Sequence, residues 1–237
     1  MRLDIYLVQN QYFESRNKAV YSIKKGLVLI NGLVVDKPSF IVSDSDIVSV
    51  KDDALKYVSK GGLKLEKALS FYKISPKGYS CLDIGSSTGG FTDCLLQNGA
   101  KLVYSIDVGT DQLHKKLKED SRVKSYEQTN FLDFNLTVLP KIDLICIDVS
   151  FTSIKPIIKR IVENFKETII IALIKPQFEA GKIYMKNGVL KDKNIQKSIL
   201  NDIKAFLKSL NLSYDEVIDS PIKGGSGNQE YLIKINI

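Results

Sequence analysis

The sequence predicts an α/β protein: a doubly wound, mostly parallel sheet whose last strand is antiparallel, behind a small α+β unit. Three observations carry that expectation. From about residue 79, short apolar runs alternate with amphipathic stretches and end at charged residues, Asp83, Asp107, Asp148 and Lys175. The first run leads through Gly85, Gly89 and Gly90 into Phe91, Cys94, Leu95 and Leu96 at helical spacing, which spells strand, tight turn and helix. The first fifty residues have a different texture, two short helices and a hairpin turning on Asn31-Gly32.

In chain order, Leu3, Ile5, Tyr6 and Leu7 open a short helix. Ser15 is placed to cap a second, Arg16 to Lys25, which Gly26 stops. Ala19, Val20 and Ile23 form its apolar side. Arg16, Lys18, Lys24 and Lys25 make it basic, and Arg2 adds to a segment that carries five basic and two acidic side chains over residues 1–30. Such a face suits RNA, although a solvated basic face is the blander alternative, which charge alone favours. Leu27–Ile30 and Leu33–Val35 form the hairpin, and Ile47–Val50 a further strand. Lys51–Lys60 reads as a polar connector, so the expected division is 1–50, 51–60 and 61–237. Gly61-Gly62 precede a helix from Leu63 to Tyr72, with Lys64 and Lys67 on its polar side. Sheet strands follow at 79–83, Leu102–Ile106, Arg122–Tyr126, Ile142–Ile147 and Thr168–Ile174, with a helix through Leu113 and another from Asn194 to Leu210. Strands near Tyr214–Ile218 and Tyr231–Ile237 close the sheet.

Composition narrows the chemistry. The chain has 34 basic and 27 acidic residues, a formal charge of +7, which accommodates a polyanionic partner. Cys81, Cys94 and Cys146 lie in apolar contexts without metal-ligand spacing and read as buried and reduced. His114 is the only histidine, which excludes histidine-based triads and most zinc sites, and no metal is expected. The start, Met1-Arg-Leu-Asp-Ile, has charges where a signal peptide needs an apolar region. No apolar run approaches the ~18 residues of a membrane span, so a cytoplasmic protein is expected.

The glycine stretch limits the ligand. A dinucleotide site needs G-x-G-x-x-G, and Ser87 stands where the second glycine belongs; no Lys-Ser or Lys-Thr pair follows, as a P-loop requires. Asp83 repels a phosphate but suits a cationic ligand with hydroxyls and an amino-acid tail, a description that S-adenosylmethionine (SAM) fits. Asp107, 24 residues on, is placed to hold a ribose diol, and Asn130-Phe131-Leu-Asp133 follows where an adenine is flanked. Asp148 and Lys175 reach the same sheet edge. An amine methylase would carry an Asn-Pro-Pro-Tyr-like block at Asp148-Val-Ser-Phe151, and this chain does not. Cys146 shares parity with Asp148 but lacks the proline neighbour of a cytosine-C5 nucleophile, and reads as core. A hydroxyl acceptor remains. For it, Lys175 serves as base if neutral, or orients and polarises the hydroxyl if charged, with Asp148 as tether. Spacing alone does not bring Lys64 or Glu230 to the site.

Two resemblances complete the reading. Met1-Arg-Leu-Asp-Ile-Tyr-Leu, Ser15-Arg16-Asn-Lys18-Ala19 and Ile23-x-x-Gly26-x-Val28-x-Ile30-Asn31-Gly32 resemble the S4 RNA-binding domain. Over nearly the whole chain, Tyr57-Val-Ser-Lys-Gly-Gly-Leu-Lys64, Asp83-Ile-Gly-Ser-Ser-Thr-Gly-Gly-Phe-Thr-Asp93, Asp107-Val-Gly-x-x-Gln-Leu113, Asp148-Val-Ser-Phe151, Lys175-Pro-Gln-Phe-Glu179 and Ser220-Pro-Ile-x-Gly-x-x-Gly-Asn-x-Glu230 resemble the TlyA family in order. In that family an FtsJ-like SAM-dependent methyltransferase domain, a Rossmann-like sheet, follows an S4 domain. The resemblance implies a ribosomal RNA 2′-O-methyltransferase acting on a cytidine ribose, in 23S rRNA first and 16S rRNA second, with rRNA or a ribosomal subunit as partner and Arg2, Arg16, Lys18, Lys24 and Lys25 on the RNA side. It implies a catalytic set of Lys64, Asp148, Lys175 and Glu230, and SAM contacts from Asp83, Gly85, Ser86, Gly89, Asp107, Phe131 and Asp133. Two departures stand out: Lys60 where arginine is usual, and Thr110-Asp111 where Tyr-Gly is typical. A non-catalytic assembly factor and a haemolysin are the alternatives; the intact catalytic set argues against the first, and the lack of an apolar insertion element against the second.

Overall fold

A computed structural model describes residues 1–10, 12–13, 15–43, 45–51, 56–180, 184–185, 188–224 and 227–237. Residues 52–55, in the middle of the expected connector, lie outside them. The chain divides into two compact units, Met1–Lys56 and Tyr57–Ile237.

The first unit holds α1 (Leu3–Gln9), α2 (Arg16–Lys24), β1 (Val28–Ile30), β2 (Leu33–Val34) and β3 (Val48–Val50). Ser15 Oγ accepts from the Lys18 N–H at 3.3 Å and starts α2. The hairpin turn has φ +53° at Asn31 and +80° at Gly32, the paired positive values of a type I′ turn. The three strands run antiparallel in the order β2-β1-β3. Leu3, Leu7, Ala19, Ile23, Val28 and Ile30 fill the core. Ser22, not Val20, joins Ala19 and Ile23 on the buried side of α2.

The second unit begins with α3 (Gly61–Phe71). Gly61 and Gly62 were expected to precede this helix, but they form its first turn. A Cβ on Gly62 would lie 2.3 Å from the Tyr57 ring, and one on Gly90 would lie 2.9 Å from the Gly62 nitrogen, so close backbone approach is what these glycines supply. Then come β4 (Ser80–Ile84), α4 (Gly90–Gln97), β5 (Leu102–Ile106), α5 (Lys115–Lys118), β6 (Val123–Tyr126), β7 (Leu144–Ile147), α6 (Lys155–Asn164), β8 (Ile169–Ile174), α7 (Pro176–Glu179), α8 (Lys193–Ser209), β9 (Ser213–Tyr214), β10 (Ile218–Asp219) and β11 (Tyr231–Asn236). The sheet order is β10-β11-β8-β7-β4-β5-β6; β4 to β8 are parallel, β11 is antiparallel to β8, and β9 also pairs with β11.

Two expectations change here. The strand near Tyr214–Ile218 is two short pieces, β9 and β10, separated around Asp215, whose carboxylate takes Lys234 Nζ of β11 at 2.9 Å. The helix through Leu113 is a loop. Asp111 sits at φ +52°, and the Glu127 carboxylate accepts from the Asp111 and Leu113 N–H groups, which replaces helical hydrogen bonding there.

Apolar side chains alternate between the two faces. Leu82, Ile84, Ile145, Ile147 and Ile170 face Ile157, Ile158 and Ile161 of α6 and Ile203 and Leu207 of α8. Cys81, Val103, Leu144, Cys146, Ile171 and Leu173 face Leu65, Ala68 and Leu69 of α3 and Cys94 and Leu95 of α4. By the same two-residue period, Asp83, Asp148, Lys175 and Glu230 fall on the α3–α4 side.

Candidate active site

The carboxyl edge of this sheet gathers four charged side chains into two ion pairs. Lys64 Nζ lies 2.5 Å from Glu230 Oε2, both side chains nearly fully buried. Lys175 Nζ lies 2.6 Å from Asp148 Oδ1, a contact off the hydrogen-bonding direction, and donates to Ser150 Oγ at 3.0 Å. Strand register joins the pairs: Tyr231 faces Ile174, so one step further Glu230 faces Lys175. Gly224 makes room for the carboxylate, since a Cβ there would meet Glu230 Oε1 at 2.4 Å. Buried charges of this kind persist only when paired.

Beside them lies the glycine loop. Gly85, at φ +85°, brings its backbone against the Asp148 carbonyl, where a Cβ would be 2.6 Å away. Gly89, at φ +92°, starts α4 with Leu113 and Leu117 pressed against it. Ser86 is buried, and its N–H donates to the Ile106 carbonyl at 3.2 Å. Asp83 is fully buried. Its Oδ2 accepts from Thr92 Oγ1 at 2.6 Å, while Oδ1 has no partner among the described residues. Burial pushes its carboxyl up to about 7, against the Thr92 hydrogen bond and with Asp148 adding to the rise. An orphaned buried carboxylate oxygen demands a proton or a cation, so this cradle fits a cationic group and not a phosphate. Asp107 is held by two N–H donors, Ser87 at 2.8 Å and Gly109 at 2.7 Å, which leaves lone pairs on both oxygens for a diol. Asp133 is exposed and accepts from Asn130 Nδ2 at 2.9 Å. Phe131 packs in the core on the α6 side, with the Arg160 guanidinium 6.0 Å above its ring, and is only 3% exposed.

Several residues of this neighbourhood escaped the sequence reading. Ser105 Oγ lies 2.7 Å from Thr92 Oγ1, extending the hydroxyl chain behind Asp83. A polar residue in the middle of β5, directly in register with Asp83, was the available signal. Phe151 is 90% exposed at φ +64° and stands against Phe178, ring centroids 5.0 Å apart, whose ring in turn lies 6.0 Å from Lys175 Nζ. A strained, exposed aromatic beside buried charges is a surface for stacking a flat ligand. Cys146 is fully buried and its thiol is raised well above its ordinary range by burial, which leaves no accessible thiolate at this edge.

In the first unit, Arg2 and Arg16 converge on the buried Asp4, at 3.0 and 2.8 Å. The Arg2 hydrogen bond is the largest influence that holds the Asp4 carboxyl down at about 2. Both arginines keep an exposed portion. Lys24 and Lys25 are exposed, Lys25 lying 5.9 Å from the Tyr21 ring, and Lys18 is half-buried.

The chain is similar to known proteins along its whole length. The family model described as FtsJ-like methyltransferase matches residues 57–237, and that of the S4 domain matches 1–48. Hemolysin A of Brachyspira hyodysenteriae is 44% identical, covering 98% of both chains. The 23S rRNA (cytidine-2′-O)-methyltransferase TlyA of Campylobacter jejuni is 38% identical over 98% of this chain and 97% of its own. A solved Streptococcus thermophilus protein with the working name hemolysin superposes with a TM-score of 0.77 at 40% identity, covering 100% of this chain and 88% of that one. No described helix is long and apolar enough to cross a membrane.

Proposed function

Because this chain belongs to the FtsJ-like methyltransferase family, with an S4 domain ahead of the catalytic fold, we propose that it is a SAM-dependent ribosomal RNA methyltransferase. Its acceptor is the 2′-hydroxyl of a cytidine, in 23S rRNA foremost and in 16S rRNA second, and it works in the cytoplasm. The observation that carries the reading is the pairing of Lys175 with Asp148 and of Lys64 with Glu230 beside a cradle fit for a cation.

SAM, when bound, supplies an electrophilic methyl group on a sulfonium. The residues for it are Asp83 toward the cationic end, Asp107 toward the ribose diol, and the backbone of Gly85, Ser86 and Gly89 along the loop; Asp133 stands at the rim. The protein's own work is alignment and proton control. Lys175, tethered by Asp148 and Ser150, holds the acceptor hydroxyl and takes or orients its proton. The Lys64–Glu230 pair fixes the second side of that pocket. Phe151 offers its exposed ring to the nucleobase. Arg2 and Arg16, drawn together by Asp4, join Lys18, Lys24 and Lys25 as the S4 contact to rRNA.

The test is transfer of labelled methyl from SAM to ribosomal subunits from cells that lack the modification, followed by nuclease mapping. The expected product is one alkali-resistant linkage at a 2′-O-methylcytidine. Label on a base, or none in either subunit, overturns the reading.

A further inference from the structure

Most of the chain's positive excess lies outside the S4 domain. Residues 57–237 hold 26 basic and 20 acidic side chains, six of the seven excess charges. On α8 that excess is ordered. Lys193, Lys197, Lys204 and Lys208 fall within about 60° of one another around the helix and extend along it for about 22 Å. The buried stripe of α8 is Gln196, Ile199, Ile203 and Leu207. Asp202 is on the flank toward α6, where it pairs with Lys155, and the four lysines occupy the opposite flank. Asp192 accepts from the Asn194 and Ile195 N–H groups and so caps the helix. Among the described residues no carboxylate pairs with any of the four, and three of them are exposed, Lys204 being half-buried. Like charges four residues apart, as in Lys193–Lys197 and Lys204–Lys208, weaken a helix unless an anion lies across them.

The first turn of α8 and the loop before it are tied to β11 and the loop that leads into it. Tyr231 OH donates to Gln196 Oε1 at 2.9 Å, and the Leu190 N–H donates to Asn228 Oδ1 at 2.9 Å, two residues before Glu230. The helix starts at the edge that carries Lys175 and Glu230. It ends at the opposite edge, where β9 pairs with the far end of β11.

We propose that this lysine stripe is a second RNA contact, a rail for the phosphodiester backbone that leads the strand past the catalytic edge. It rests on the reading of the chain as an RNA methyltransferase. Among the described residues none of the four ammonium heads lies over an aromatic ring, so they suit phosphates and not bases, and the rail adds affinity and registration without sequence preference.

The experiment compares K193Q/K197Q/K204Q/K208Q with a control that removes the same charge before the other ends of the strands, K73Q/K77Q/K101Q/K141Q. Binding of unmodified ribosomal RNA is measured from 50 to 200 mM KCl. Four lost phosphate contacts lower the slope of log affinity against log salt by about 3 to 4, so wild-type affinity falls roughly 50- to 150-fold more than the variant's over that range. The control follows the wild type. In methyl transfer the α8 variant shows a raised KM for RNA at unchanged saturating kcat. Parallel salt slopes for variant and wild type overturn the rail, as does equal loss in both quadruple variants. Unchanged RNA binding with lost binding to anionic phospholipid vesicles assigns the stripe to a membrane surface and overturns it too. A wild type that binds RNA but transfers no methyl refutes the enzyme reading, while the salt slopes still decide the rail.

Discussion

Replacing Asp83 by asparagine should make the ligand-free protein more stable and a worse binder of SAM. The unfolded chain ionises an aspartate near 4, whereas the buried Asp83 holds its proton up to about 7. Between those values the folded state carries a proton that the unfolded state has released, so stability falls as pH rises through the window. At about 1.4 kcal/mol per pH unit the loss reaches about 4 kcal/mol above pH 7. The substituted asparagine keeps an acceptor for Thr92 Oγ1 and has no charge to bury. Asp83→Asn should therefore match the wild type near pH 4 and exceed its stability by about 4 kcal/mol at pH 8. In exchange it loses a charge-assisted contact worth about 1.5–3 kcal/mol, roughly a 10- to 150-fold weaker affinity for SAM. Urea unfolding from pH 5 to 8 and calorimetric SAM titration read both effects. Parallel stability profiles for the two proteins would refute the reasoning, because they would mean that Asp83 is not burying an uncompensated charge.

Two further outcomes follow from the same geometry. Lys64→Ala strands a buried Glu230 and should cost about 3–5 kcal/mol, while the double change Lys64→Met/Glu230→Leu should recover most of that stability by urea unfolding but not methyl transfer. Recovery of transfer by the double change would show that the pair only fills space. Phe151→Gly removes an exposed ring from a positive-φ position, so unfolding should show no loss of stability and up to about 1 kcal/mol of gain. Its kcat/KM for RNA should fall roughly 5- to 150-fold with SAM affinity unchanged, the worth of stacking one base. Unaltered kcat/KM would leave Phe151 without a part in the site.

Much of this arrangement was legible in the chain. Strands such as Leu102–Ile106 announce themselves because each is a short apolar run ending in a charge, and the carboxyl edge follows from the parallel order. Asn31-Gly32 announces its turn because only a few residue types tolerate two successive positive φ values. What stayed hidden is long-range or conformational. Lys64 and Glu230 are 166 residues apart, and nothing local tells a buried lysine from an exposed one on the first turns of α3. Asp111 adopts a left-handed backbone where the related pattern has glycine, held by Lys118 and Glu127, and that turned an expected helix into a loop. Helix α6 went unread although Ile157, Ile158 and Ile161 behind Pro156 carry the helical period. Phe131 is read as a ligand residue from its place after β6, and that its side chain packs with the α6 face follows from long-range contacts that no local pattern shows.

The central claim is that Lys175 acts on the acceptor hydroxyl. It is tested most directly by single-turnover methyl transfer to unmodified ribosomal subunits, wild type beside Lys175→Met, with SAM affinity measured for each. The expected result is that the variant binds SAM within a few-fold of the wild type while transfer to the ribose slows by about 10²- to 10⁴-fold. Equal single-turnover rates would contradict the account and remove the Lys175–Asp148 pair from the reaction.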